Sequence, residues 1–166
     1  MRRIRKKFKK PRSPWSITKI KDERKLLNEY GLRRKKEMLI AQEVLRNYRQ
    51  RARVLIAEKD KEKERVLIEK MAKMGLLSKK ESTLDDILAL TITNVLDRRL
   101  QTIVFRRGIA TSPRHARQLI VHGHVVVAGK RTKFPSYIVP VEEERKISTY
   151  RSKKEMKATV TPEASE

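Results

Sequence analysis

The sequence predicts an α-rich α+β protein, with a helical N-terminal lobe at residues 15–97 and a smaller helix-turn-helix plus β-hairpin unit at residues 98–150. Three observations support this prediction. Apolar residues recur at helical spacing through most of the first lobe. In the second unit, helix caps and turn glycines alternate between Gly108 and Gly123, and a β-branched run with a glycine turn follows them. Helices that precede a short sheet, without alternating with its strands, are typical of an α+β fold.

The chain opens on a basic arm at residues 1–14, MRRIRKKFKKPRSP. It has almost nothing to bury, so we expect it to order only against a partner; a solubilising tail is the alternative. Trp15, the only tryptophan, follows directly. We expect its ring to pack against the first helix or to stack on a base, and packing is favoured because large aromatic side chains usually bury.

Two helices are predicted next, at about residues 16–30 and 34–57, with Gly31 at the end of the first. The second helix has an apolar stripe made by Met38, Ala41, Leu45, Tyr48, Ala52 and Ile56. Beside it, one sector of the helix holds Arg46, Arg49 and Arg53. These three could follow a phosphate backbone together. The alternative is an ordinary solvated basic face, which the lack of interleaved acids makes weaker.

A third helix, at about residues 59–77, alternates its charges outside an apolar seam. Thr83 is expected to cap a short fourth helix, with acids in its first turn. We expect Thr91 to Thr93 to interrupt that helix and Thr93 to cap the next one. The apolar face of that next helix is predicted to hold Leu96, Leu100, Ile103 and Val104.

The second unit follows local helix and turn rules. Gly108 ends one helix, Ser112 supplies a capping oxygen, Pro113 takes the first helical position and Gly123 stops the second helix. A helical wheel separates the packing residues Ala116, Leu119 and Ile120 from Arg114, Arg117, Gln118 and Val121, which could meet phosphates and bases.

A strand is predicted at residues 125–127, followed by a turn at Ala128-Gly129 and the basic residues Lys130, Arg131 and Lys133. Short strands interrupted by prolines are expected at 135–140, Glu142 to Glu144 should form a solvated turn or edge, and a last strand is expected at 146–150. The tail at 151–166 is expected to be partly disordered.

Charge restricts the class of partner. The 43 lysines and arginines outnumber the 20 aspartates and glutamates, giving a net charge of +23, so we expect a polyanion and most simply a nucleic acid. We expect no membrane association, since no apolar run approaches the roughly 20 residues of a spanning helix and no signal peptide opens the chain. The absence of cysteine excludes disulfides and thiol catalysis and fits a reducing cytoplasm.

Catalytic motifs and metal sites are not expected. His115, His122 and His124 lack a third strong ligand such as cysteine or a neighbouring carboxylate, so we interpret them as nucleic-acid contacts and expect neither metal nor cofactor. The sequence contains no phosphate-binding loop, no nucleophile elbow and no paired acids suited to acid-base catalysis. We therefore expect a binding protein and no enzyme.

The run ARQLIVHGHVVV, followed by a glycine turn, Lys-Arg and PSY at residues 135–137, resembles the small RNA-binding domain first described in ribosomal protein four of the small subunit. The segment RRLQTIVFRRG at 98–108 is similar to the archaeal and eukaryotic cytosolic type of that family. The dipeptide PW at Pro14-Trp15 and the segment EYGLRRK at 29–35 extend the resemblance into the first lobe.

The resemblance implies a structural constituent of the cytoplasmic small ribosomal subunit that binds the 5′ domain of its rRNA and nucleates assembly. It implies a place near the region where mRNA enters, beside ribosomal proteins three and five, with no obligate homo-oligomer. The alternative within the same resemblance is a small nucleolar ribonucleoprotein subunit that acts in precursor rRNA processing. A DNA-binding helix-turn-helix regulator is a weaker alternative, because it would not need basic charge over the whole length. The domain also occurs on RNA-modifying enzymes and synthetases, but too few residues remain here for their catalytic folds.

We predict two roles among the rRNA-binding residues. The phosphate contacts are Arg46, Arg49, Arg53, Arg106, Arg107, Arg114, Arg117, Lys130 and Arg131. The residues that recognise RNA shape are Gln118, His122 and the turn from Pro135 to Tyr137, which includes Ser136. Ser112, His124 and Lys133 are predicted as further rRNA contacts. One position departs from the family, which often has Asn where this chain has Ala128. Because Asn tolerates positive φ better than Ala, we expect a different turn type in this hairpin.

Overall fold

A computed structural model describes residues 7–77 and 82–150. Its elements are α1 Ile17–Glu29, α2 Lys35–Glu58, α3 Lys61–Lys73, α4 Leu84–Ala89, α5 Ile92–Asp97, α6 Leu100–Arg106, α7 Pro113–Val121, β1 Val125–Val127, β2 Lys130–Arg131, α8 Val141–Glu144 and β3 Ile147–Thr149. This confirms the predicted α+β fold. The first six residues of the expected basic arm and the expected tail at 151–166 lie outside the described residues. Within the described ranges, no helix combines the length and the apolar character needed to cross a membrane.

Helix α2 is the central element of the first lobe. Met38, Ala41, Leu45 and Ala52 are buried as the stripe predicts, whereas Ile56 is exposed near the end of the helix. The apolar faces of α3, α4 and α5 close over this stripe and form one core cluster. Helix α3 begins at Lys61 because the Asp60 side chain caps it, accepting hydrogen bonds from the backbone N–H of Glu62 and Lys63.

The tryptophan that follows the N-terminal arm lies in solvent. Trp15 is 87% exposed, so the expectation that it packs against the first helix is wrong. Every residue of α1 is at least partly exposed, and Ile17 in its first turn is 70% exposed. This end of α1 therefore provides no buried surface on which the indole could pack.

The region between the lobes contains two helix starts. Thr83 forms a capping box with Asp86, as predicted for α4. The prediction that Thr93 caps the next helix is wrong, because Leu90 and Thr91 are both extended and Thr91 is the N-cap residue of α5. Because α5 starts at Ile92, the side chains of Val95 and Leu96 face the core. The chain then breaks again at Arg98 and Arg99, so the helix predicted to continue through Val104 is two helices.

A second core cluster lies entirely within residues 100–147 and includes Leu100, Val104, Ile120, Val125 and Val139. It packs α6 and α7 against an antiparallel three-stranded sheet with the order β2-β1-β3. The last strand, predicted at 146–150, pairs with β1 and adds a third strand to the predicted hairpin. Residues 142–144, predicted as a solvated turn or edge, belong to the short helix α8.

We expected Ala128 to give this hairpin a different turn type, and the β1–β2 turn shows that this expectation is wrong. Val127 pairs directly with Lys130, so the loop has two residues, and their φ angles are +47° at Ala128 and +80° at Gly129. Positive φ at both central positions is the pattern of a type I′ turn, whose twist matches that of the flanking strands. Ala128 adopts this conformation although a Cβ makes it cost about 1–2 kcal/mol.

Candidate nucleic-acid interface

Helix α7 presents the polar face that its sequence predicts. The Ser112 hydroxyl accepts a hydrogen bond from the backbone N–H of His115 at 3.1 Å, and Pro113 occupies the first turn. Ala116 and Ile120 are buried, while Arg114 and Gln118 are exposed. The cap and the apolar side therefore hold Arg114 and Gln118 toward solvent on a short, well-anchored helix.

Arg117 does not belong to this free face. Its guanidinium spans the Glu37 carboxylate of α2, with both contacts at 3.0 Å, and the buried Arg99 donates to the same carboxylate at 2.5 Å. Burial opposes ionisation of Glu37, but the hydrogen bonds from Arg117 and Arg99 outweigh it and hold the pKa of Glu37 below its usual value. Arg117 thus joins the two lobes, and at most part of its guanidinium remains for an RNA phosphate.

A buried amide joins the lobes at a second point. The Gln101 side-chain nitrogen lies 3.1 Å from the Tyr30 carbonyl, 3.0 Å from that of Gly31 and 2.9 Å from that of Pro113. Gly31 has a φ of +59°, and a Cβ placed there would lie only 2.8 Å from Pro113 Cβ. The α1–α2 turn is therefore pressed against the first turn of α7, and only glycine permits this approach.

Arg106 belongs to a third set of contacts between the lobes. The Tyr30 hydroxyl donates to Asp97 at 2.8 Å, and Arg106 pairs with the same carboxylate oxygen at 2.6 Å. Burial, and then the hydrogen bond to Asp97, raises the pKa of Tyr30. These interactions hold the C-terminal end of α6 against α5 and the end of α1.

Between the lobes lies a cleft of about 410 Å³. Two predicted site residues, Arg117 and Ser136, line it from the second unit. Its remaining charged lining was not predicted as part of the site and comes mainly from the arm and α2: Lys7, Arg34, Lys36, Glu37 and Arg99. Apolar side chains, including Ile40 and Ile138, line the rest. The one available signal was the single acid in the basic run RRKKE at the start of α2, since an isolated carboxylate among cations is a natural partner for a distant arginine.

The three α2 arginines do lie together, along a separate depression that also includes Gln42 and Ile92. Contrary to expectation, an acid is present, because Arg46 pairs with Glu43 at 2.8 Å. Arg49 donates to the Leu90 carbonyl at 2.5 Å and is half-buried, so it fastens α2 to the α4–α5 junction. Arg53 is exposed.

The β1–β2 hairpin and the residues beside it include both engaged and free basic side chains. Arg131 donates to the Gly123 carbonyl at 3.1 Å, and its guanidinium lies 4.1 Å from the centre of the Tyr150 ring. Lys130 and Lys133 are exposed, and so are the imidazoles of His122 and His124, whose ring centres are 6.4 Å apart. This edge therefore combines free cations with exposed rings.

The remaining predicted contacts are partly engaged inside the fold. The Tyr137 hydroxyl donates to Glu143 at 2.7 Å, which raises the pKa of Tyr137 together with partial burial. Arg107 reaches the Ile147 carbonyl at 3.4 Å. In the part of the chain that the structure describes, no three His, Cys, Asp or Glu side chains converge as metal ligands would.

Comparison with known proteins defines the class in which this architecture belongs. Residues 98–144 match the S4 domain family, and this segment includes α6, α7, the β1–β2 hairpin and α8. The class is therefore that of proteins in which an S4 domain carries an additional helical lobe.

The similarity extends through that lobe to particular relatives. The chain is 47% identical over 152 residues to the small ribosomal subunit protein uS4 of Saccharolobus islandicus (strain L.S.2.15 / Lassen #1), covering 90% of this chain and 84% of the relative. The uS4 protein of Methanococcus aeolicus is 45% identical over 150 residues (89% and 85%), and that of Ignicoccus hospitalis 45% over 149 residues (88% and 89%). The chain belongs to the small ribosomal subunit protein uS4 family, which confirms the resemblance found in its sequence.

Proposed function

We propose that this protein is a structural constituent of the small ribosomal subunit and binds small-subunit rRNA. The observation that carries the proposal is the exposed face of α7 and the hairpin, where Arg114, Lys130 and Lys133 accompany Gln118 on a rigidly held frame. Cations position an RNA by its phosphates, and polar and ring side chains recognise its shape. The net charge of +23 and the names of its relatives support the same function.

The finer parts of the proposal follow from family membership. We place the contact in the 5′ domain of the rRNA, early in assembly, with a final position near the region where mRNA enters and beside ribosomal proteins three and five. The protein would act in the cytoplasm without a cofactor and without catalysis. Two separate core clusters support a division into a helical lobe and an RNA-binding domain near residue 98.

The structure supports different roles within the predicted set. Arg114, Lys130, Lys133 and Arg53 are exposed, so we assign them direct phosphate contacts, and we assign shape recognition to Gln118, His122, His124 and Ser136. The other eight predicted residues make side-chain hydrogen bonds within the chain, so we assign them a positioning role: Arg46, Arg49, Arg106, Arg107, Ser112, Arg117, Arg131 and Tyr137.

Replacing Arg114 by Ala tests the α7 face. We expect weaker binding to a transcript of an archaeal 5′ domain and a salt slope smaller by about one charge, because one phosphate contact is lost. Filter binding across a salt series measures both quantities. Arg65→Ala, which removes an exposed cation from α3, is the matched control and should change neither. Unchanged affinity and slope in Arg114→Ala would remove α7 from the interface.

A further inference from the structure

We propose that Trp15 is a base-stacking residue, which receives an unpaired nucleobase of the RNA that this chain binds. The inference rests on the proposed function and adds to it a contact outside the S4 domain. The indole is 87% exposed, although tryptophan is among the most buried residues on average. An aromatic face of this size in solvent is suited to a flat apolar partner.

The backbone next to the indole leads directly into helix α1. Trp15 precedes Ser16, the N-cap residue of α1, and the first turn of this helix begins with the hydrogen bond from the Ile20 N–H to the Ser16 carbonyl at 3.0 Å. The Ser16 and Thr18 hydroxyls are 3.1 Å apart across the same turn. The ring is therefore presented at the N-terminal end of a helix, where a flat partner can reach it.

Charge decides which flat partner fits. From Lys7 to Lys21 the sequence contains no aspartate or glutamate, and the cations that flank Trp15 in the sequence include Lys9, Lys10, Arg12, Lys19 and Lys21. An apolar pocket on another protein would bury the indole but leave these charges uncompensated. RNA supplies both a phosphate backbone for the cations and π faces for the ring, and stacking on an aromatic side chain tolerates any base.

The arm connects this residue to the cleft between the lobes. Lys7 lines the cleft between the lobes, and the Phe8 ring lies 6.0 Å from the Lys36 ammonium at the start of α2. The arm thus runs from the cleft, where Arg117 and Ser136 lie, to Trp15 at the start of α1. An RNA strand that contacts both the cleft and the cations of residues 9–12 would reach the indole.

Because Trp15 is the only tryptophan of the chain, its fluorescence reports stacking directly. The full chain is titrated with a transcript of an archaeal 5′ domain, with excitation at wavelengths that the tyrosines do not absorb. Stacking should quench the emission of Trp15 in step with binding measured by filter retention. Binding without any change in this emission would overturn the proposal, and so would a blue shift produced by the other small-subunit proteins in place of quenching by RNA.

Substitution separates stacking from apolar contact. Trp15→Phe keeps a π face and should bind within a few-fold of the wild type, whereas Trp15→Leu keeps apolar character only and should bind roughly tenfold more weakly. The salt slope should be the same in all three, because no cation is removed. Equal affinity of the Phe and Leu variants contradicts stacking while leaving RNA binding intact. A wild-type chain that fails to bind the transcript contradicts the proposed function as well.

Discussion

The backbone conformation of Ala128 is imposed by the two strands that flank it. Its φ of +47° follows from the two-residue loop between paired strands, since β1 and β2 leave no other residue to make the turn. Alanine pays for this conformation with strain that asparagine or glycine would largely avoid.

Replacing Ala128 by Asn should therefore raise the free energy of unfolding by about 1 kcal/mol, because Asn tolerates left-handed backbone conformations. Urea denaturation followed by circular dichroism measures the change. Gly129→Ala, which introduces the same strain at the next position, should lower stability by a similar amount. A neutral or destabilising Ala128→Asn would show that the turn is not strained.

At the scale of elements, the contact between the α1–α2 turn and α7 sets the relation of the two lobes. Gly31 and Gly108 both have left-handed φ angles, of +59° and +71°. A Cβ at Gly31 would lie 2.8 Å from Pro113 Cβ, whereas among the described residues no atom lies within 4 Å of a Cβ at Gly108. Substitutions at these two glycines therefore separate the cost of backbone strain from the cost of pushing the α1–α2 turn away from α7.

Gly108→Ala should cost about 1–2 kcal/mol of stability from strain alone. Gly31→Ala should cost at least a further 1 kcal/mol, since overpacking at a well-packed contact adds its own penalty. It should also weaken RNA binding, which Gly108→Ala should leave nearly unchanged. Denaturant titration and filter binding give the two comparisons, and equal effects of the two substitutions would mean that the close approach has no energetic role.

Glu37 joins the same elements electrostatically and gives the contact a pH dependence. The pKa of Glu37 is lowered in the folded protein, so the carboxylate contributes stability that is present above its unfolded pKa and is lost as the pH falls through the folded pKa. Its partner Arg99 is buried, and burial lowers the pKa of Arg99 while Glu37 opposes that effect.

Glu37→Gln should reduce the free energy of unfolding by about 3 kcal/mol at neutral pH, because it leaves the Arg99 charge buried without its counter-charge. The acid-induced loss of stability below pH 4.5 should be smaller in the variant than in the wild type. Urea titrations at neutral and acid pH measure both effects. Glu43→Gln, which breaks the surface pair with Arg46, should have little effect. An acid loss that is identical in wild type and Glu37→Gln would exclude this carboxylate as its source.

At the scale of the whole molecule, the sequence predicts those features that act within one or two turns of the chain. Ser112, Pro113 and Gly123 could be assigned because caps and stops depend on residues only a few positions away. Thr91 and Thr93 could not be distinguished in this way, since both are good caps and the core decides between them. The Arg117–Glu37 pair joins residues 80 positions apart. A helical wheel shows which face is polar, but not which partner from another lobe will meet it.

The proposed interface depends both on local sequence and on contacts between the two lobes. Composition and the exposed face of α7 indicate RNA, while the interlobe contacts through Glu37 and Gln101 determine which arginines remain free to bind it. The exposure of Trp15 was not predictable, because no sequence pattern shows that α1 offers it no packing surface.

The most direct test of the central proposal is sedimentation of the tagged, full-length protein in an archaeal lysate. A structural constituent should co-sediment with mature small subunits and remain there through a salt wash that removes loosely bound factors. A processing factor, such as the small nucleolar alternative, would be found with precursor particles and be absent from mature subunits. Recovery only in precursor fractions, or at the top of the gradient, would contradict a structural role in the ribosome.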